Sequence, residues 1–132
     1  MRMNTKLILT LSSFFLALIG LTLTFLPEEI MEFAGVQSSK TVKLILQILG
    51  ALYFGFAMLN WMAKGSTIGG IYNRPISIAN LTHFLVGALA LIKGLMNNPD
   101  LPFVMWILTG LYSIFAVLFG FLFYRNPVAD KK

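Results

Sequence analysis

Apolar residues gather into four runs, Leu7 to Leu26, Val42 to Met62, Pro75 to Met96 and Phe103 to Tyr124, none interrupted by an acidic side chain. A helix needs about 20 mostly apolar residues to cross a hydrocarbon layer roughly 30 Å thick, and each run meets that length. The pattern predicts an all-α, polytopic membrane protein, an antiparallel four-transmembrane-helix bundle forming one domain over 1–132. Ordinary helix punctuation marks the ends: Ser39 ahead of the second run, Gly65 after it, Pro75 and Pro102 in first turns, Asn97 and Asn98 after the third. Arg2 and Lys6 ahead of the first run also suit a signal peptide. Its apolar stretch is long for one and no small-x-small cleavage site follows, so an uncleaved helix is expected. Between the first two runs, "PEEIMEFAGVQSSK" opens on Pro and two Glu and turns apolar at Ile30, Met31, Phe33 and Ala34 before Gly35. That order predicts a brief amphipathic helix at about 28–34 on the external interface, with a solvated loop as the alternative.

Small residues then suggest how the helices pack, because bilayer helices associate by close backbone approach and a few polar contacts. At a spacing of three to four, the stripes are Thr10, Ser13, Ala17, Gly20 and Thr24; Gln47, Gly50, Phe54, Ala57 and Trp61; Ala79, His83, Gly87, Ala90 and Gly94; and Thr109, Ser113, Ala116 and Gly120. A faint repeat accompanies them. "ILGALYFGFAML" at 48–59 overlies "ILTGLYSIFAVL" at 107–118 without a gap, and "ALIGL" at 17–21 is like "ALIKGL" at 90–95. Either two parallel helix-pair repeats underlie the chain or apolar helices match by chance; a true repeat makes Tyr53 and Tyr112 equivalent.

Composition fixes the solvent. Hydrophobic residues make up 58% and charged residues 11% of the 132, against roughly 25% charged in soluble domains, and the mean hydropathy is +0.82. The net charge of +5 describes orientation rather than a nucleic-acid surface, since the charges are split among helix ends and form no patch. Arg2, Lys6, Lys64, Arg74, Arg125, Lys131 and Lys132 fall on one side, and Lys40, Lys43 and Lys93 on the other. Retention of positive flanks in the cytoplasm puts both termini there. The absence of cysteine excludes disulfides, thiolate metal sites and cysteine nucleophiles.

Little catalytic chemistry remains. No carboxylate lies inside a span, which argues against proton- or sodium-coupled transport. Ser12, Ser13 and Ser113 have a single His in the whole chain and no intramembrane acid to orient it, which argues against hydrolysis. The Gly-rich "GSTIGGIYN" lacks the strand and the Gly-Lys-Ser/Thr of a phosphate loop, and the "NLT" sequon at 80–82 lies within a span, where it has no meaning. What stands out is the polar set within one half of the bilayer: His83 about 4 Å, Asn80 roughly 8 Å and Asn60 about 12 Å to the cytoplasmic side of its middle. Lys93 stands near the external end, where its stem carries the ammonium outward. His83 either ties two helices together as a neutral imidazole or touches a ligand or a proton; a metal or haem would lack further ligands, so no cofactor is expected.

The short four-span layout, the "P…FAG" segment after the first helix and the Gly- and aromatic-rich "LGALYFGFAMLNW" resemble the broad group of small bacterial DoxX-like and related inner-membrane proteins. The likeness covers most of the chain in layout. It implies a four-helix bundle in the bacterial inner membrane, in some relatives a subunit accompanying quinone-linked oxidoreductases, and it carries over no site residues. Two functions stay open. One is a non-catalytic accessory subunit or self-associating bundle whose partners are the bilayer, its own copies or a membrane complex. The other is a binding protein for a lipid-like, quinone-like or other apolar small molecule, with Tyr53, Asn60, Trp61, Asn80, His83 and Tyr112 lining a cavity.

Overall fold

The structure, a computed structural model, describes residues 4–65 and 74–124. The Gly-rich connection beyond Gly65, and the terminal cations Arg2, Arg125, Lys131 and Lys132, lie outside the described residues. Five helices follow in order: α1 (Thr5–Phe25), α2 (Pro27–Phe33), α3 (Lys40–Ala63), α4 (Arg74–Asn97) and α5 (Phe103–Tyr124). All but α2 are long and apolar enough to cross a membrane, and their side chains turn broad apolar surfaces outward, Leu18, Phe25, Ile48, Met62, Met96 and Phe103 among them. The fold is therefore all-α, with four candidate spans and a short helix between the first two. The described residues form two compact units, one holding α1 to α3 and the other α4 and α5.

In the first unit α1 and α3 run antiparallel, and two glycines set their distance. A Cβ on Gly20 would lie 2.8 Å from the Phe54 nitrogen and 2.9 Å from the Gly50 carbonyl oxygen, and one on Gly50 would lie 2.8 Å from the Gly20 carbonyl oxygen. Backbone thus meets backbone, as small residues in membrane helices allow. The Gln47 amide donates to the Thr24 carbonyl at 3.3 Å on one side of this crossing, and the Ser13 hydroxyl donates to the Ala57 carbonyl at 2.7 Å on the other.

The segment read as a brief amphipathic helix is α2. Proline opens it, and Gly35, with φ of 66°, closes it. The Gly35 N–H donates to the Glu32 carbonyl at 3.0 Å and the Val36 N–H to the Met31 carbonyl at 2.9 Å, the paired bonds of a glycine-closed helix end. Pro27 and Met31 are buried while Phe33 is 65% exposed. By contrast Ser39 occupies the N-cap of α3 with extended backbone but makes no side-chain cap bond.

An ion pair ties α2 to the start of α3: the Lys43 ammonium donates to a Glu28 carboxylate oxygen at 2.5 Å. The hydrogen bond and the charge of Lys43 together hold the Glu28 carboxyl below its ordinary value. A group with a depressed folded-state pKa stabilises above its ordinary pKa and loses that effect as pH falls through the lowered one. Protection of the α2 amides, normalised to intrinsic exchange, is accordingly expected to drop on acidification below the usual glutamate range, and Lys43→Gln to remove that dependence. Both groups are exposed, so salt should weaken the pair as well.

In the second unit α4 and α5 form an antiparallel hairpin across 98–102. The Asn98 N–H continues the ladder to the Gly94 carbonyl at 2.9 Å, and the Met105 N–H reaches back to the Pro102 carbonyl at 2.8 Å. The buried line of α4 is Ser77, Asn80, Phe84, Ala88 and Leu95, and that of α5 is Tyr112, Phe115, Ala116, Phe119 and Leu122. Apart from Ala116, which belongs to both, these lines are turned by roughly 100° from the small-residue stripes expected of these helices, at the 100° step per residue of an α-helix. The hydroxyls within the α5 stripe bond backward inside their own helix, Thr109 to the Met105 carbonyl and Ser113 to the Thr109 carbonyl. The buried seam belongs to aromatic rings instead.

Candidate functional site

The six residues expected to line a cavity divide evenly, with Tyr53, Asn60 and Trp61 on α3 and Asn80, His83 and Tyr112 on the α4–α5 hairpin. Each group has its own geometry.

On the hairpin, Phe84 is fully buried and organises its neighbours. Its ring stacks on Phe115 at a centroid separation of 4.9 Å and on Phe119 at 5.6 Å, and meets Tyr112 edge-on at 5.3 Å. Tyr112 rests against Gly87, where a Cβ would come within 2.7 Å of the tyrosine Cδ1. With no side chain in the way, the phenol reaches across α4, and its hydroxyl is 3.2 Å from the His83 Nε2. The imidazole donates or accepts there according to its tautomer. His83, half-buried beside Phe84, is thus joined to Tyr112, one of its expected site partners.

Asn80 is fully buried one turn before Phe84, and its amide donates to the Ile76 carbonyl at 2.9 Å. Ser77, also fully buried, has no hydrogen-bond partner for its hydroxyl among the described residues. Nothing in the sequence distinguished Ser77 from other serines in apolar helices; only its burial does.

On the α1–α3 hairpin Asn60 is fully buried, and its amide donates to the Ser12 hydroxyl at 3.0 Å, which itself donates to the Leu9 carbonyl at 3.0 Å. With Ser13 and Ala57 this makes a small polar staple between the start of α1 and the end of α3. Ser12, Ser13 and Asn60 are all visible in the sequence; their convergence follows from antiparallel pairing of the first two spans. Trp61 points elsewhere. It is 41% exposed, meets the Phe14 ring edge-on at 5.6 Å, and has the Lys64 ammonium over its face. An indole covered by a lysine at a helix end is the arrangement of an interfacial anchor. Tyr53 is half-buried seven residues before Asn60, about 10 Å away along the helix.

Tyr53 and Tyr112 occupy unlike environments. Ala57 and Ala116, matched in the sequence overlay, are both buried. Gly50, however, carries the closest approach in its hairpin, whereas Thr109 at the matching place bonds within its own helix, and Tyr112 is buried where Tyr53 is half-buried. The two hairpins share a layout and differ in what holds them.

Among the described residues no three His, Asp or Glu side chains converge as metal ligands. Comparison with family models, with curated proteins and with solved structures finds no match to the chain.

Proposed function

We propose that this chain is a multi-pass protein of the bacterial inner membrane, with both termini in the cytoplasm, that works without catalysis as an accessory or self-associating bundle. The carrying observation is that its intramembrane polar groups serve as helix-to-helix ties: Ser13 to Ala57, Asn60 to Ser12, and Tyr112 to His83. Hydrogen bonds of this kind between membrane helices are worth on the order of 1 kcal/mol, enough to fix register and pairing. The excess of lysine and arginine at the ends assigned to the cytoplasm supports the orientation, and the likeness in layout to DoxX-like proteins supports an accessory role. A second reading, a binder of an apolar small molecule, draws on Asn80 and Ser77, two fully buried polar side chains on one face of α4, of which the Ser77 hydroxyl has no partner among the described residues.

Native mass spectrometry of the purified protein in nanodiscs, with His83→Ala beside the wild type, distinguishes the two. Packing glue predicts that both run as the bare chain of their own mass or as the same self-multiple, with His83→Ala less stable by about 1 kcal/mol. A co-purifying apolar molecule present in the wild type and lost in the variant would overturn the accessory reading in favour of binding.

A further inference from the structure

Where α1 ends and α3 begins, α2 roofs a cleft of about 280 Å³ lined by Thr24, Phe25, Pro27, Glu28, Glu29, Lys43 and Gln47. It lies at the end of two spanning helices, the depth at which hydrocarbon gives way to head groups. Phe25 of the lining is 73% exposed, and Leu44 and Ile48, each next in sequence to a lining residue, are 60% and 68% exposed. Three charges face the cleft, and they are not equivalent. Glu28 already holds Lys43. A lysine ammonium has three N–H donors, so Lys43 keeps donors for an anion, while Glu29 has no ion-pair partner among the described residues. The lining thus carries both a cationic and an anionic anchor, with a net charge of −1.

We propose that this cleft holds the phosphoethanolamine head group of a phospholipid, its phosphate on Lys43 and its primary ammonium on Glu29, with the acyl chains lying along Phe25, Leu44 and Ile48. The net charge disfavours an anionic head group such as phosphoglycerol, which has no cation to offer Glu29. A choline head group has no N–H to donate to a carboxylate, and Phe25 alone is no aromatic cage for a quaternary ammonium. At about 280 Å³ the cleft is at the small end for ligand pockets, which suits a head group whose tails remain outside. This inference goes beyond the accessory role proposed above and requires only that the helices span a bilayer.

The test is native mass spectrometry of the full chain titrated with dioleoyl phosphatidylethanolamine, phosphatidylcholine and phosphatidylglycerol. Wild type is expected to retain phosphatidylethanolamine roughly tenfold better than the other two, the effect of one charge-assisted hydrogen bond. Glu29 is exposed and makes no structural bond among those described, so Glu29→Gln should keep the fold and lose the preference over phosphatidylcholine, and Glu29→Lys should shift preference to phosphatidylglycerol. Equal retention of the three lipids by the wild type, or a preference unchanged in both variants, overturns the proposal. Soluble glycerophosphoethanolamine separates the sources: it should fail to compete at millimolar concentration, and competition equal to that of the lipid would overturn assignment to a membrane lipid.

Discussion

Gly20→Leu is expected to force α1 from α3 and to lower the stability of the first hairpin by about 3 kcal/mol, with Gly20→Ala already costing about 1–2 kcal/mol. The reason lies in what a side chain would strike. At 2.8 Å from the Phe54 nitrogen and 2.9 Å from the Gly50 carbonyl oxygen, the first carbon of any side chain meets backbone, which cannot rotate aside as a flexible side chain would. Relief requires moving one helix, and that stretches the Gln47–Thr24 and Ser13–Ala57 bonds on either side of the crossing. Unfolding in mixed micelles with increasing SDS measures the loss. Gly55 and Gly110 are the controls, since a Cβ on either meets nothing within 4 Å. Alanine there should leave stability unchanged or raise it slightly through helix propensity. Equal effects at Gly20 and Gly55 would show that the α1–α3 crossing does not depend on glycine.

The number, length and order of the helices were legible in the sequence because the bilayer imposes a length on every span. The runs 7–26, 42–62, 75–96 and 103–124 became Thr5–Phe25, Lys40–Ala63, Arg74–Asn97 and Phe103–Tyr124, and "PEEIMEF" became α2. Rotation about each helix axis was less legible. In water, hydropathy tells inside from outside; in lipid both faces are apolar and that contrast vanishes. Small residues replaced it as the guide, and they located close approaches well: Gly20, Gly50 and Gly87 all sit against another helix. Ser13 and Gly20 on α1 and Gly50 and Ala57 on α3 are also buried, but on α4 and α5 the stripes missed the buried line except at Ala116. Gly94 meets nothing within 4 Å, and Gly120 only the tip of Leu81 at 3.7 Å. Threonines misled for a related reason, since the Thr10 and Thr109 hydroxyls are satisfied by carbonyls four residues back and need no partner helix. His83 stood out in the sequence as the single histidine, but its tie to Tyr112 depends on Gly87 letting the phenol cross, a three-residue relation no single motif carries. Asn60 found its partner in Ser12, which drew notice in the sequence only as a serine without catalytic partners.

The aromatic seam that small residues failed to reveal makes the last prediction. Phe84→Ala is expected to destabilise the α4–α5 hairpin by about 2–3 kcal/mol, at or below the lower end of phenylalanine truncations in soluble cores. Lipid tails solvate a freed phenyl group about as well as the protein interior does, so the transfer contribution nearly disappears. What remains is the void itself and the lost ring contacts. Phe115 loses a stacked face at 4.9 Å, Phe119 another at 5.6 Å and Tyr112 an edge contact at 5.3 Å; aromatic pairs of this kind contribute about 0.5–1.5 kcal/mol each beyond their area. Phe103 offers the matched control, a phenylalanine in a spanning helix that is 77% exposed. Phe103→Ala should change stability by no more than about 0.5 kcal/mol. Because Tyr112 packs on both Phe84 and Gly87, the truncation should also free its ring and weaken the hydroxyl contact to His83, visible as faster ring flipping of Tyr112 by NMR. If Phe84→Ala and Phe103→Ala prove equally mild, the two helices are held by the His83–Tyr112 bond and the short 98–102 connection rather than by stacked rings.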